Sequence, residues 1–174
     1  MQLIPIDEVP SSATRYIAEE IKKAYSPMLE GVKFGHGSAM PDESYNPSRD
    51  QYRAGTILQH ISTTFSRLEG KILAVTTKDL YSQGLNFVFG QAQKPGKFAL
   101  ISLHRLRPEF WGRPKDQELF LARAGKEAVH ELGHTLGLDH CDNKKCVMTF
   151  SNRIQDTDMK KARFCEKCKE KIER

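Results

Sequence analysis

The chain has 174 residues, 39% of them hydrophobic and 28% charged, and a net charge of +5. That length suits one domain able to bury a core of ordinary size. No apolar run approaches the roughly 20 residues that span a bilayer. The opening MQLIPIDEVP has neither the basic start nor the apolar stretch of a secretory leader. A soluble, cytoplasmic protein is therefore expected.

In chain order, QLIPI at 2–6 predicts a short strand. SSATRYIAEEIKKAY at 11–25 predicts a helix, with Tyr16, Ile17, Ile21, Ala24 and Tyr25 recurring at helical spacing. VKFG at 32–35 is a candidate strand, and the Pro-, Ser- and Asp-rich stretch that follows predicts a loop. A second helix is expected over about 51–68. KILAVTT (71–77), NFVFGQAQ (86–93) and KFALISLHRL (97–106) then read as β-rich runs, with hairpin chemistry at Lys94-Pro95-Gly96 between the last two. The order β-α-β-α-β-β-β favours early parallel strands joined by crossover helices and one late antiparallel strand. A third helix is expected over 116–136, capped by Asp116. A last one starts near Thr157.

The end of the third helix and the residues just after it carry half of the chain's six histidines, in VHELGHTLGLDHC at 129–141. His130 and His134 are four apart, so on a helix they lie about 40° apart and one turn along. Two imidazoles so placed can bind one metal ion. Glu131 sits beside that face, able to reach a metal-bound water as general base. A straight continuation would carry the chain away from the metal. Gly137 can end the helix in the left-handed conformation without Cβ strain, returning His140 as third ligand. Three neutral imidazoles leave one zinc position open for chemistry. His36, His60 and His104 lack such a context and read as surface or core residues.

All four cysteines follow: Cys141 and Cys146 frame CDNKKC, and Cys165 and Cys168 form CxxC. Two pairs separated by a linker favour structural zinc. Two disulfides, or a thioredoxin-type redox pair, are the alternatives. Residues 141–174 hold ten Lys/Arg against six Asp/Glu, a surplus of four. Four thiolates on one divalent zinc contribute −2 and reduce that surplus to two. A nucleic-acid role for this basic segment is thereby weakened. Met148 lies between the cysteine pairs, in CVM, where a lone methionine ordinarily reads as core packing.

HExxHxxGxxH followed by a methionine in a tight turn is the metzincin signature. HELGHTLGLDH joined directly to a cysteine, then C-x4-C-x-M and a later CxxC, resembles the archaemetzincins, small zinc metallopeptidase-like proteins. The likeness covers the last 45 residues closely. It implies an α/β (α+β) metzincin-like zincin domain: a mixed twisted sheet with an antiparallel edge strand, two backing helices, an active-site helix and a C-terminal zinc-stapled subdomain. Residues 1–137 would form the upper subdomain and 138–174 the lower. Two zinc ions are implied, a catalytic one on His130, His134 and His140 and a structural one on Cys141, Cys146, Cys165 and Cys168. Glu131 would be general base and acid, and Met148 the Met-turn residue. The resemblance also implies an extended peptide pairing with the edge strand, for which NFVFGQAQ is the segment, centred on Phe89, Gly90 and Gln91. A tyrosine assisting the reaction would have to be Tyr45, Tyr52 or Tyr81. The expected partner is a peptide or protein substrate, acted on by a monomer without nucleic acid or membrane. A non-catalytic zinc-stabilised binding protein is the competing reading, against which the glutamate beside the ligands argues.

Overall fold

The computed structural model describes residues 1–173. Strands β1 (Gln2–Ile6), β2 (Lys33–Phe34), β5 (Ile72–Thr76), β7 (Gly90–Ala92) and β8 (Phe98–Ser102) form one sheet in the order β2-β1-β5-β8-β7. All neighbours are parallel except β7, which runs antiparallel to β8 at the edge. β5 (ILAVT) and β8 (FALIS) are buried at every position, as strands covered on both faces must be.

The period-two alternation of these strands divides the core. Leu3, Leu73, Val75, Ala99 and Ile101 face helices α1 (Ser11–Tyr25) and α3 (Gln117–Thr135), meeting Ile17, Ile21, Phe120 and Ala124. Ile4, Ile6, Ile72, Ala74 and Leu100 face α2 (Ala54–Thr64), meeting Ile57 and Ile61. The sheet thus sits between α2 on one side and α1 with α3 on the other. A smaller sheet of β3 (Tyr45–Asn46), β4 (Gln51–Arg53) and β6 (Leu80–Tyr81) lies alongside. No helix among the described residues is long and apolar enough to cross a membrane.

Three expectations need correction. Residues 51–68 are not one helix: Gln51–Arg53 is strand β4, and helix α2 covers only 54–64. Gln51 is buried, donating through Nε2 to Asp79 Oδ2 and Asn86 O at 3.0 Å each, which holds this stretch extended. Residues 86–93 are not one strand either, because the ladder covers only Gly90–Ala92. The Asn86 carbonyl is taken by Gln51 and Arg49, and Val88 N–H donates to Leu80 O, so 86–88 are bound to the other sheet's side of the molecule. The C-terminal helix is in fact two, α4 (Ile154–Met159) and α5 (Glu166–Ile172). Between them Lys161 N–H donates to Lys145 O and Val147 N–H to Arg163 O. Those cross-chain bonds take the backbone groups that a continuous helix needs internally.

Candidate active site

Helix α3 begins with the Asp116 carboxylate accepting from Leu119 N–H at 2.9 Å, a side-chain N-cap. It ends where Gly137 adopts φ +90°. Gly137 N–H donates to His134 O, and Leu138 N–H reaches back to Gly133 O. This left-handed turn stops the helix and redirects the chain. His140 returns to the two helical histidines, and one ring nitrogen from each of the three falls within 4.8 Å of the others.

The donor set fits a zinc ion. Nε2 of His130 and Nε2 of His134 are 3.1 Å apart. Ligand nitrogens about 2.0–2.1 Å from a tetrahedral zinc lie about 3.3 Å from one another. The second ring nitrogens are already engaged: Nδ1 of His130 meets Val147 O at 2.8 Å, and Nδ1 of His134 meets Leu138 O at 2.7 Å. Only N–H can donate to a carbonyl, so each Nδ1 carries the proton and each Nε2 presents its lone pair. Burial lowers the basicity of all three rings, most strongly His130, which favours the neutral, ligating form.

Glu131 is buried beside this cluster. Burial, reinforced by the negative charge of Glu127, raises its carboxyl from 4.5 to about 8. A bound divalent cation acts in the opposite direction. Directly above it is Gly90: a Cβ at that position would fall 2.6 Å from Glu131 Cγ and 2.7 Å from both Glu131 Oε1 and Leu100 O. Glycine therefore lets the edge strand lie against the glutamate.

His130, His134, His140, Glu131, and Phe89, Gly90 and Gln91 all line one cavity of about 430 Å³, together with Phe150, Ser151 and Asn152. β7 is the sheet's last strand. Ser102 N–H donates to Phe89 O and Gln93 N–H to Phe98 O, while Gln91 stands opposite Leu100. Antiparallel alternation therefore turns the main-chain groups of 89, 91 and 93 toward β8, leaving those of Gly90 and Ala92 on the open edge.

The cysteines form a second cluster, with all four Sγ atoms within 4.8 Å of one another. Cys141 Sγ and Cys165 Sγ are 3.7 Å apart, and the cysteines are free thiols. A disulfide bond is about 2.05 Å, whereas thiolates about 2.3 Å from a tetrahedral zinc lie about 3.8 Å apart. The disulfide alternative is thus set aside. Cys165 precedes α5 and Cys168 sits in its first turn, so the pair belongs to a helix start rather than to a helix running through Phe164. Met148 is fully buried beneath α3, where a Cβ at Gly133 would overlap its Sδ. That contact accounts for the glycine inside HELGH.

Tyr45, Tyr52 and Tyr81 are absent from the cavity lining. Tyr45 and Tyr52 pack together in the small sheet, with ring centroids 5.0 Å apart, and Tyr81 accepts from Asn46 Nδ2. Among the described residues, no tyrosine lines the cavity. The cavity instead holds a residue that sequence reasoning missed. Glu127 lies one helical turn before Glu131, and Lys160 Nζ stands 2.9 Å from its Oε1 with both side chains buried. The signal available was the i, i+4 spacing of the two glutamates on one helix face.

Such a site, a three-histidine cluster with a buried glutamate beneath a sheet edge, is that of a zinc metallopeptidase. The family model for peptidase family M54 matches residues 46–174. An archaemetzincin of Pyrococcus furiosus is 46% identical over 176 residues, spanning 98% of this chain and 91% of that protein. The crystal structure of archaemetzincin from Methanopyrus kandleri superposes with a TM-score of 0.83 at 37% identity, covering 99% of this chain and 92% of that one. A zinc-dependent peptidase from Methanocorpusculum labreanum gives a TM-score of 0.85 at 31% identity, with 98% of each chain covered. The chain belongs to peptidase family M54.

Proposed function

We propose that this chain hydrolyses peptide bonds in the cavity under β7, with His130, His134 and His140 holding the catalytic zinc and Glu131 as general base. Cys141, Cys146, Cys165 and Cys168 hold a second, structural zinc that ties residues 138–174 beneath residues 1–137 in one catalytic domain. The observation that carries this reading is the placement of Glu131: buried, beside two Nε2 lone pairs, and against the open edge of the sheet. Purely structural metal sites have no use for such a carboxyl.

A zinc ion on three imidazoles supplies a Lewis acid and an acidified water. The chain's own groups do the remaining work. The open N–H and C=O groups of Gly90 and Ala92 bind an extended peptide main chain and fix its distance from α3. Glu131 takes the proton of the attacking water and passes it to the departing amine. The carbonyls of Val147 and Leu138 hold the imidazoles of His130 and His134 in one tautomer throughout. The test is a peptide-library digest read by mass spectrometry, wild type against Glu131→Gln. The variant is expected to keep its metals and lose at least about 10²–10⁴-fold in rate. Equal cleavage by both proteins would remove Glu131 from the reaction.

A further inference from the structure

Among the described residues, three buried side-chain polar atoms have no hydrogen-bond partner: Gln91 Oε1, Ser151 Oγ and Lys160 Nζ. Gln91 and Ser151 line the active-site cavity, and Lys160 stands behind Glu127, which lines it too. Buried polar groups are nearly always satisfied, so their gathering at one cavity needs an explanation. Glu127 Oε1 accepts from Thr157 Oγ1 at 3.0 Å. Lys160 Nζ approaches the same oxygen at 2.9 Å, without the direction of a hydrogen bond, and its side chain is 0% exposed. A peptide in the cavity therefore approaches Glu127 and Ser151, which line it, and not Lys160, which does not.

Building on the peptidase reading, we infer that Glu127 and Ser151 form a polar selectivity pocket for a substrate residue next to the scissile bond, one whose side chain is an amide or a hydroxyl. The other residue classes each fail on a named group. An acidic side chain would approach the Glu127–Lys160 pair from its carboxylate side. A cationic one would face a carboxylate already neutralised by Lys160, near a histidine cluster built for a divalent cation. An aliphatic one would leave the Ser151 hydroxyl without a partner, which costs more than a missing methylene does. An amide or hydroxyl donates to Glu127 and exchanges a hydrogen bond with Ser151 at no charge cost.

The first measurement maps residues flanking the cleaved bond in a peptide-library digest by the wild-type protein. Asn, Gln, Ser or Thr at one flanking position should be favoured over Leu, Met, Ala or Val by about 10- to 100-fold in kcat/KM. The second measures binding without turnover: calorimetry on zinc-loaded Glu131→Gln, with peptides differing only as Gln against Met or Thr against Val. The polar member should bind at least tenfold tighter. This arm separates the two readings, because an inactive wild type counts against peptidase action while the binding preference still tests the pocket. The third uses variants. Glu127→Leu/Thr157→Val/Lys160→Met removes the buried polar group as a unit, which leaves no uncompensated charge. It should keep its metal content and shift preference to Leu or Met by at least tenfold. Ser151→Ala, a milder change that guards against a triple variant that does not fold, should weaken the polar preference at least threefold. Apolar or charged preference in the wild type, equal binding of the matched peptides, or unchanged preference in the folded variants would overturn the inference.

Discussion

Gly90 on the edge strand lies against Glu131 on the active-site helix so closely that no side chain fits between them, with a Cβ at residue 90 placed 2.6 Å from Glu131 Cγ. The same Cβ would press on Leu100 O, which is backbone and cannot swing aside. Gly90→Ala should therefore displace both the strand and the glutamate. Stability should fall by about 1–3 kcal/mol, the usual cost of overpacking. Peptide hydrolysis should fall more than tenfold while both metals remain bound, as read by thermal melts, metal analysis and kcat/KM.

The alternation along β7 makes Ala92 the position at which the edge can be tested. Its N–H points away from β8, so Ala92→Pro removes a donor that the protein itself does not use. Folding and metal content should survive, and KM for extended peptides should rise several-fold. The matching change at Gln91, whose N–H faces Leu100, should instead destabilise the protein by breaking the ladder. Similar behaviour of the two variants would move the substrate away from this edge.

Much of this arrangement was legible before the structure. Leu3 and Ile4 alternate between two cores because strand side chains alternate, and the apolar runs of β5 and β8 announce strands covered on both faces. HELGHTLGLDH specifies its own geometry, since helix pitch aligns His130 with His134 and Gly137 permits the return of His140. What was not legible depended on long-range partners. NFVF is rich in β-formers, yet the backbone of Asn86 and Val88 is held by Gln51 and Leu80 of the other sheet and by Arg49 in the turn between β3 and β4. Glu127 and Lys160 are 33 positions apart, and no local pattern announces that two charges will be buried together. That Tyr45, Tyr52 and Tyr81 stand away from the cavity was not legible for the same reason: which side chains line a cavity is decided by packing of segments distant in sequence.

Gly133 and Met148 should behave as a coupled pair. Met148→Ala empties a filled site beneath α3 and should cost about 2–5 kcal/mol. Gly133→Ala drives a methyl into Met148 Sδ and should also destabilise. In the double variant the new methyl enters the space the methionine left, so the two losses should fall short of additive by at least 0.5 kcal/mol. Additive losses from denaturant melts would show that the two residues do not share a contact.

Two metals of unequal character are expected. The histidine cluster opens on the cavity and should lose zinc first to a chelator, with hydrolysis lost and the fold kept. The cysteine cluster joins Cys141 and Cys146 to α5, and its removal should unfold residues 138–174, as thiolate zinc sites are linked to folding. Elemental analysis of carefully prepared protein should find two zinc ions per chain. A single zinc, or simultaneous loss of metal and structure, would contradict this order.

The last expectation concerns pH in protein stripped of the histidine-site metal but retaining the cysteine-site metal. Folding raises the Glu131 carboxyl from 4.5 to about 8 because burial disfavours its charge. Between those values the folded chain holds a proton that the unfolded chain has released. By linkage, the stability associated with the protonated carboxyl is fully present below about 4.5 and is lost progressively as pH rises to about 8. Glu131→Gln has no proton to lose there. The depressed histidines titrate in both proteins and cancel in the comparison. The Gln variant should therefore gain on the wild type as pH rises from 5 to 8, by about 3–4 kcal/mol at 1.36 kcal/mol for each pH unit of full slope. Restoring zinc should shrink the difference, since a cation beside the carboxylate favours its charged form. Parallel denaturant curves for the two metal-stripped proteins across this range would place the Glu131 carboxyl near its ordinary value, and with it would fall the claim that burial beneath Gly90 sets its charge.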